Sequence, residues 1–431
     1  MGRLAELVSI LSATTAFSAG GTTLEGAIRA AWAHNAQFLA DGAEVDAANS
    51  DAEAAQAAVF PALQIGARAL RTDQPAAAFG LKLDQGRITE ADFDPARLNS
   101  PEAVVGWGVG ATLTQPLYAG GRIEAGARAA HARANAAGKS HGARRQLLAV
   151  SVVAAYFGAQ VAAKSVDYAD DTLAHARETE RFVRERVAQK LLLESEALRA
   201  SAFRAQAEAE RASRVQALKD VRSALDLLVG TPVEALETPL EPLVSILAVV
   251  AVERPEVAAA RFQLEAAHAA DDSATGALLP ELFLQLGVET FRHSWSQGNV
   301  WTSIILGARW QLSLGELRTW KAAKYRANGA AAALQWQEDA VRHEAGTSRA
   351  AVDAADANVR SAREAVAASE SVRTLRDARH REGLLPLTEV LDAESGLASA
   401  RNLLLRSELE ARLSRARLDL ALGQPVEGIK P

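Results

Sequence analysis

Two carboxylates, Glu389 and Asp392, stand three residues apart just after Glu382-Gly-Leu-Leu-Pro-Leu-Thr388. On a helix that spacing puts both on one face. Placed in the first turn, they complement the positive end of the helix dipole and face solvent. Placed where like charges converge, they raise each other's pKa and attract cations. The residues alone leave both readings open. Other chemistry is thin. Gly138-Lys-Ser-His-Gly142 fits G-x-S-x-G, but that nucleophile motif needs a strand-to-helix turn, and here it lies in an alanine-rich helical stretch. Gly106-Trp-Gly-Val-Gly110 reads as a strand with one small face, and no helix follows it to hold a phosphate. The eight histidines show no i, i+4 pair suited to zinc; His131 and His141 are expected to face solvent. The chain has no cysteine, which removes disulfides and thiolate metal sites. A net charge of −6 leaves no nucleic-acid footprint. No catalytic residue, cofactor or metal ligand set is expected.

The elements that must position the two carboxylates are long helices. From Arg318 to about His380 there is no proline and only two glycines. From Thr388 to Leu422 there is no proline and one glycine, Gly396. Gly383 and Pro386 punctuate the turn between them, and Thr388 is expected to cap the second helix. The plan occurs twice. Leu225-Asp-Leu-Leu-Val-Gly-Thr-Pro-Val-Glu234 recurs as Leu418-Asp-Leu-Ala-Leu-Gly-Gln-Pro-Val-Glu427, with seven of ten positions identical at an offset of 193. The same offset puts Gly383 on Lys190, Leu384 on Leu191, Thr388 on Ser195 and Glu389 on Glu196. Such self-similarity defines the architecture before any single residue does.

Along the chain, residues 1–20 resemble a weak secretory signal, with Arg3 ahead of Leu7-Val-Ser-Ile-Leu11. The first repeat, 21–234, is expected to hold a helix from Leu24 to about Val59 capped by Thr22-Thr23, strands at 63–71 and 103–117, a long helix at 122–188 and a return helix at 195–229. The prolines, glycines and charges of 72–102 read as a long loop. The long helix would reach about 100 Å at ~1.5 Å per residue. After a linker at 235–253, the second repeat, 254–427, holds a helix, strands at 281–295 and 300–314 joined at Ser296-Gln-Gly-Asn299, a long helix at 318–380 and a return helix at 388–422; 428–431 is a tail. In the return helix, Val390, Ala393, Leu397 and Ala400 step by three and four, the spacing of a coiled-coil seam. The fold class is mainly α with a small β part: duplicated long-helix coiled-coil hairpins plus four strands per chain.

The strands bear on location. No run of 18 apolar residues is present in the sequence, so no helix is expected to span a bilayer. Each strand has one apolar face, as in Leu282, Leu284, Leu286 and Val288. Trp107, Trp295, Trp301 and Trp310 lie in or beside the strands, where an aromatic girdle would sit. Four strands cannot close a barrel, since the smallest transmembrane barrels have 8, and open edges are not tolerated in lipid. Either soluble structure covers the sheet, or several chains share one barrel.

At this point the residues resemble a family, the TolC-type outer-membrane efflux ducts. The resemblance rests on Thr23-Leu24-Glu25 with Ala27 and Asn35, on Gln115-Pro-Leu-Tyr-Ala-Gly-Gly-Arg122, and on Gly383-Leu-Leu-Pro-Leu-Thr-Glu-Val-Leu-Asp392. It covers Thr23 to Glu427. It implies a homotrimer in which the strands make a 12-stranded β-barrel in the outer membrane and the helices make a 12-helix α-barrel across the periplasm. It implies that Glu389 and Asp392 ring a tunnel constriction. It implies that the tips, Lys190, Leu191, Leu192, Ser195 and Glu196 with Gly383, Leu384, Leu385 and Thr388, dock on a periplasmic adaptor, which links the duct to an inner-membrane pump or a type I secretion ATPase. Trp107, Trp301, Trp310, Leu282 and Leu284 would then face lipid. The sequence departs from the family at Lys190, where a glycine is expected, and at Leu385, where TolC itself has a basic residue that bonds across the closed tips. Leu314-Gly-Glu-Leu-Arg318 lacks the Gly-Gly of its counterpart at 120 and 121, and the lipidated N-terminal cysteine of many members is not found here. The competing reading is a soluble coiled-coil scaffold; Trp310 and Leu282 would meet lipid in the first case and a protein core in the second.

Overall fold

The computed structural model describes residues 22–233, 235–240, 253–294 and 297–429. The expected signal, most of the linker, Trp295 and the start of the hairpin turn at Ser296 lie outside the described residues. Two compact units are formed, one from the residues up to Ala43, Ser140–Glu256 and those from Glu338 on, the other from Glu44–Lys139 and Val257–Gln337.

The second unit contains one antiparallel sheet in the order β1 (Ala62–Thr72), β2 (Val104–Tyr118), β3 (Glu281–Ser294) and β4 (Gln297–Arg309). Its register follows from the period-two pattern. Leu63 pairs with Leu113, Leu113 with Leu286, and Leu286 with Ile304. Trp107, Val109, Leu284, Val288 and Leu306 therefore share that apolar face, while Gln64, Arg68, Thr112, Gln285, Glu289 and Ser303 share the other. Leu282 pairs with Ala308 and is 41% exposed. Trp310 follows β4, is 64% exposed and donates from its indole nitrogen to the Leu278 carbonyl at 3.0 Å. Trp301 departs from expectation. It pairs with Glu289, and side chains alternate along a strand, so it lies on the polar face and is not grouped with Trp107.

Residues 72–102 are not a plain loop. They contain α3 (Pro75–Asp84), a 3-10 turn at Glu90–Phe93 and α4 (Pro95–Asn99). Pro75 and Pro95, read from sequence as breakers, each sit in the first turn of a helix, where a missing N–H costs nothing. The last strand ends at Arg309, short of the expected Leu314. Helix α8 (Leu314–Arg381) starts early because the Ser313 hydroxyl accepts from the Glu316 N–H at 3.1 Å.

The first unit is helical. The opening helix is interrupted: α1 (Leu24–His34) and α2 (Ala36–Ala57) are separated by Asn35 in extended geometry. The Asn35 amide donates to the Leu228 carbonyl near the end of α6 (Glu194–Val229), and its oxygen accepts from the Phe38 N–H, both at 3.0 Å. One side chain thus restarts α2 and seats the end of α6. The Thr23 hydroxyl caps α1, accepting from the Gly26 N–H at 3.1 Å. His141 is half-buried and stacks on Phe38 at 4.3 Å between ring centroids; the apolar ring beside it keeps it from the solvent-facing position expected of it. Leu24 and Ile28 of α1, Val153 and Phe157 of α5 (Arg122–Ala188), and Leu225 and Val229 of α6 make the main core. The Tyr156 hydroxyl crosses this core, donating to the Thr22 carbonyl at 2.7 Å and accepting from the Thr238 N–H at 2.9 Å.

The duplicated sequence yields a duplicated backbone. At the end of α5, the Lys190 N–H bonds to Val187 and the Leu191 N–H to Arg186; at the end of α8, Gly383 bonds to His380 and Leu384 to Arg379. Both are the paired 6→1 and 5→2 bonds of a helix terminated in left-handed geometry. Lys190 takes φ 59° where Gly383 takes φ 79°, so lysine fills the glycine position without changing the turn. At the return-helix ends, Asp226 accepts from the Val233 N–H at 2.8 Å, and Asp419 of α9 (Leu387–Ala421) from the Glu427 N–H at 2.9 Å. Seven residues before Asp419, Arg412 is 1% exposed, stacks over Phe157 at 4.6 Å and donates to the Pro239 and Leu240 carbonyls.

Two predictions follow from these turns. Left-handed geometry is strained for any side chain, so Lys190→Gly should stabilise the last turn of α5 by about 1 kcal/mol and Gly383→Ala should destabilise that of α8 by a similar amount; amide exchange of the two turns, slower in the first variant and faster in the second, checks both. Burial, with the nearby Glu427 charge, pushes the Asp419 carboxyl from 3.8 up to about 6. The folded state then holds a proton that the unfolded state releases, so stability is greatest at low pH and falls as pH rises through that interval. Melting in mild detergent should show Asp419→Asn flattening this slope and raising the midpoint at neutral pH.

Candidate functional site

The tips belong to the helical unit. α5 and α6 form one hairpin, α8 and α9 the other. Leu387 is 1% exposed and packs with Val183, Ala197 and Ala200, so the second tip is seated on the first through Leu387 and Leu391, with Leu192 alongside. Leu191 and Leu384 point outward and are exposed, as is Leu193, which the sequence reading passed over. Lys190, Gly383, Ser195 and Thr388 are exposed, and Leu385 and Glu196 are half-buried. His380 is buried, and its Nδ1 lies 2.8 Å from the Leu385 carbonyl. Thr388 does not cap. Pro386 holds the cap position, and Thr388 lies inside α9, because proline's fixed φ already suits a helix start. Ser195 likewise lies inside α6, whose cap position is Leu193.

The structure separates the two carboxylates chemically. Glu389 pairs with Arg376 of α8 at 2.9 Å, and the same guanidinium donates to the Glu389 carbonyl at 3.2 Å. Asp392, one turn on, is exposed and has no ion-pair partner among the described residues. Of the two, Asp392 carries the free negative charge.

Reasoning from sequence missed a second layer, two turns into the coils. Arg373 of α8 lies 2.7 Å from the His175 Nε2 of α5 and 3.6 Å from the buried Glu394 of α9. Burial raises the Glu394 carboxyl above its usual range, against the opposing pull of Arg373. Arg401 of α9 pairs with Glu370 at 3.1 Å and Asp171 at 3.6 Å, and stacks over Tyr168 at 4.7 Å. Arg381 pairs with Glu178 at 2.9 Å. These contacts tie the two hairpins by charge where alanines leave little apolar area to share. A signal was present: Glu394 and Arg401, seven residues apart, each follow a seam alanine, Ala393 and Ala400. Among the described residues no group of acidic and histidine side chains is placed to hold a metal.

Comparison with known proteins bears on the family and the fold. The model of the outer membrane efflux protein family matches residues 27–231 and 247–424. No curated protein matches the sequence significantly. Among solved structures, the chain is similar to a membrane protein from Pseudomonas aeruginosa at 20% identity and a TM-score of 0.79, over 94% of this chain and 91% of that one. It is similar to the outer membrane protein VceC from Vibrio cholerae at 21% identity and a TM-score of 0.76, over 94% and 97%. It is similar to the Campylobacter jejuni CmeC outer membrane channel at 15% identity and a TM-score of 0.79, over 95% and 87%. At these identities the structures speak for the fold; the family match covers most of the chain. With the family model matched over most of its length, the chain belongs to the outer membrane efflux protein family, in the outer membrane and extending into the periplasm.

Proposed function

We propose that three copies of this chain close into a passive exit duct, which takes cargo from a periplasmic adaptor and an inner-membrane pump to the exterior as the outer part of a tripartite efflux or type I secretion system. The observation that carries the reading is the sheet. Within the chain, β1 and β4 are its edges, and one face is an exposed apolar surface that includes Ile304 and Leu306. Lipid tolerates the apolar face but not unpaired edge groups. Pairing β4 of one copy with β1 of the next satisfies every edge, and three copies of four strands give a 12-stranded barrel, above the lower limit of 8. The family match supports the same assembly.

In this duct Trp107, Leu282, Leu284 and Trp310 face lipid. The exposed leucines Leu191, Leu193 and Leu384, with the flanking Lys190 and Gly383, form the adaptor contact. Asp392 and Glu389 from three copies ring the narrow end. Because Arg376 screens Glu389, Asp392 supplies most of the preference for cations; rings of acidic side chains act this way in pores generally. The pump selects the cargo, and the duct needs no cofactor.

Electron microscopy of the protein in mild detergent tests the assembly: a three-fold hollow cylinder with a detergent belt is expected, and a compact particle soluble without detergent would leave the scaffold reading instead. Conductance in planar bilayers tests the ring. Glu389→Ala with Asp392→Ala should lower cation selectivity and weaken block by divalent cations, with Asp392→Ala alone giving most of the effect; unchanged selectivity and unchanged block would sink the assignment.

A further inference from the structure

The two halves of the chain differ most at their hairpin ends. β3 and β4 are joined through residues 295 and 296, whereas β1 and β2 are joined through residues 73–103, which fold. This insert is stitched together. Lys82 pairs with Asp92 at 2.8 Å, Asp92 accepts from the Thr89 N–H at 2.9 Å, and Phe79 meets Phe93 edge to face at 5.7 Å. It is also fastened to the sheet. Ala78 and Leu81 are buried against Val104 and Phe291. Gln85, 4% exposed, donates to the Val105 carbonyl at 2.9 Å.

The face it covers is given by the register. A Cβ on Gly106 would come within 2.7 Å of the Gln85 amide and 2.8 Å of a Leu81 methyl, so the insert rests where β2 has no side chain. A Cβ on Gly86 would come within 3.0 Å of Asn299, so the insert reaches β4 as well. Gly106, Phe291 and Asn299 all belong to the polar face of the sheet, the face of Arg68, Glu289 and Ser303. The insert therefore packs on the polar side, at the end of the strands where both hairpins turn.

We propose that residues 73–103 form a folded collar on the lumen side of the barrel's outer mouth and restrict the exit to small solutes. This rests on the duct reading: with the apolar face toward lipid, the polar face lines the lumen, and the hairpin ends, opposite the strand ends that lead into helices, open outward. Three inserts then project from the wall into one passage. A bulky polypeptide would have to displace Leu81 and Gln85 from their seats, whereas a small molecule passes between the three collars. The cargo class of this duct is accordingly small compounds, not secreted chains.

The absence of native cysteine makes the test direct. Ser303 lies on the polar face four residues beyond the level of Phe291, through the pairing of Gly287 with Ser303, which is about 13 Å deeper at ~3.3 Å per residue. Ala91, in the 3-10 turn, is exposed. Intact cells carrying Ser303→Cys or Ala91→Cys in the full chain are treated from outside with a small impermeant maleimide and with a bulky polyethylene-glycol maleimide. The collar requires Ala91→Cys to react with both and Ser303→Cys to react with the small reagent but at least about tenfold more slowly with the bulky one, a factor worth ~1.4 kcal/mol. Replacing residues 75–101 by a short flexible linker should then abolish that difference. Equal reactivity of Ser303→Cys toward both reagents in the intact protein overturns the collar while leaving the duct. No reaction of Ser303→Cys with either reagent, alongside a reactive Ala91→Cys, overturns the duct reading and the collar with it. The comparison within the intact protein decides the matter even where the shortened variant does not assemble.

Discussion

The structure depends on one constraint: a backbone N–H or C=O cannot be left without a partner in an apolar medium. A sheet of four strands has two edges, and here nothing in the chain's own strand order pairs them. One face of the sheet is apolar through Leu282, Leu284, Leu286 and Val288, with Arg71, Thr290 and Arg292 toward the hairpin ends, and in an apolar medium the two edges would be left open. The proposed assembly resolves this by making each edge the partner of another copy's edge. The helices escape the problem, because each satisfies its own backbone groups along its length and needs only terminal repair. That repair is visible at Thr23, Asn35, Ser313 and the left-handed turns at Lys190 and Gly383.

Duplication explains why the same repairs appear twice, and also where they diverge. The tip turns use the same hydrogen bonds at the same offset, although one has glycine and the other lysine at the left-handed position. The strain of a lysine there is small beside the energy of two long helices packed along their length, so tertiary packing overrides local preference. Asp226 and Asp419 repeat as caps for the chain after each return helix, and the segment after the second is also held by Arg412, which pairs with Glu427 at 3.3 Å. The second copy thereby closes onto the core of the first through the Arg412–Phe157 contact.

Between the hairpins, apolar packing and charge divide the work. Leu387 supplies the main apolar anchor at the tips. Higher up, where alanines dominate, Arg373, Arg381 and Arg401 reach across to His175, Glu178 and Asp171. Of these, Arg381–Glu178 is an exposed ion pair and contributes little, whereas Arg401 is mostly enclosed and Arg373–His175 is a partly buried hydrogen-bonding contact, not an ion pair.

Much of this was legible in the residues. The repeat at 193, the long helices, the four strands and the apolar faces through Leu282 and Leu284 follow from periodicity and punctuation, because burial on one face forces the side-chain pattern. Family membership was legible from the motifs around Gln115 and Gly383. Tertiary structure decided the rest. Asn35 breaks the first helix because Leu228 offers a carbonyl from the end of another helix, which no local pattern announces. Trp301 falls on the polar face because register, set across two strands, assigns it. Residues 72–102 fold because α3 finds a seat at Gly106 and Phe291, distant in sequence. Glu389 and Asp392 look alike in the sequence, and only the reach of Arg376 from the preceding helix separates them. Periodicity reports which face is buried; it does not report what lies on the other side, and at each of these positions the partner sits on a different element.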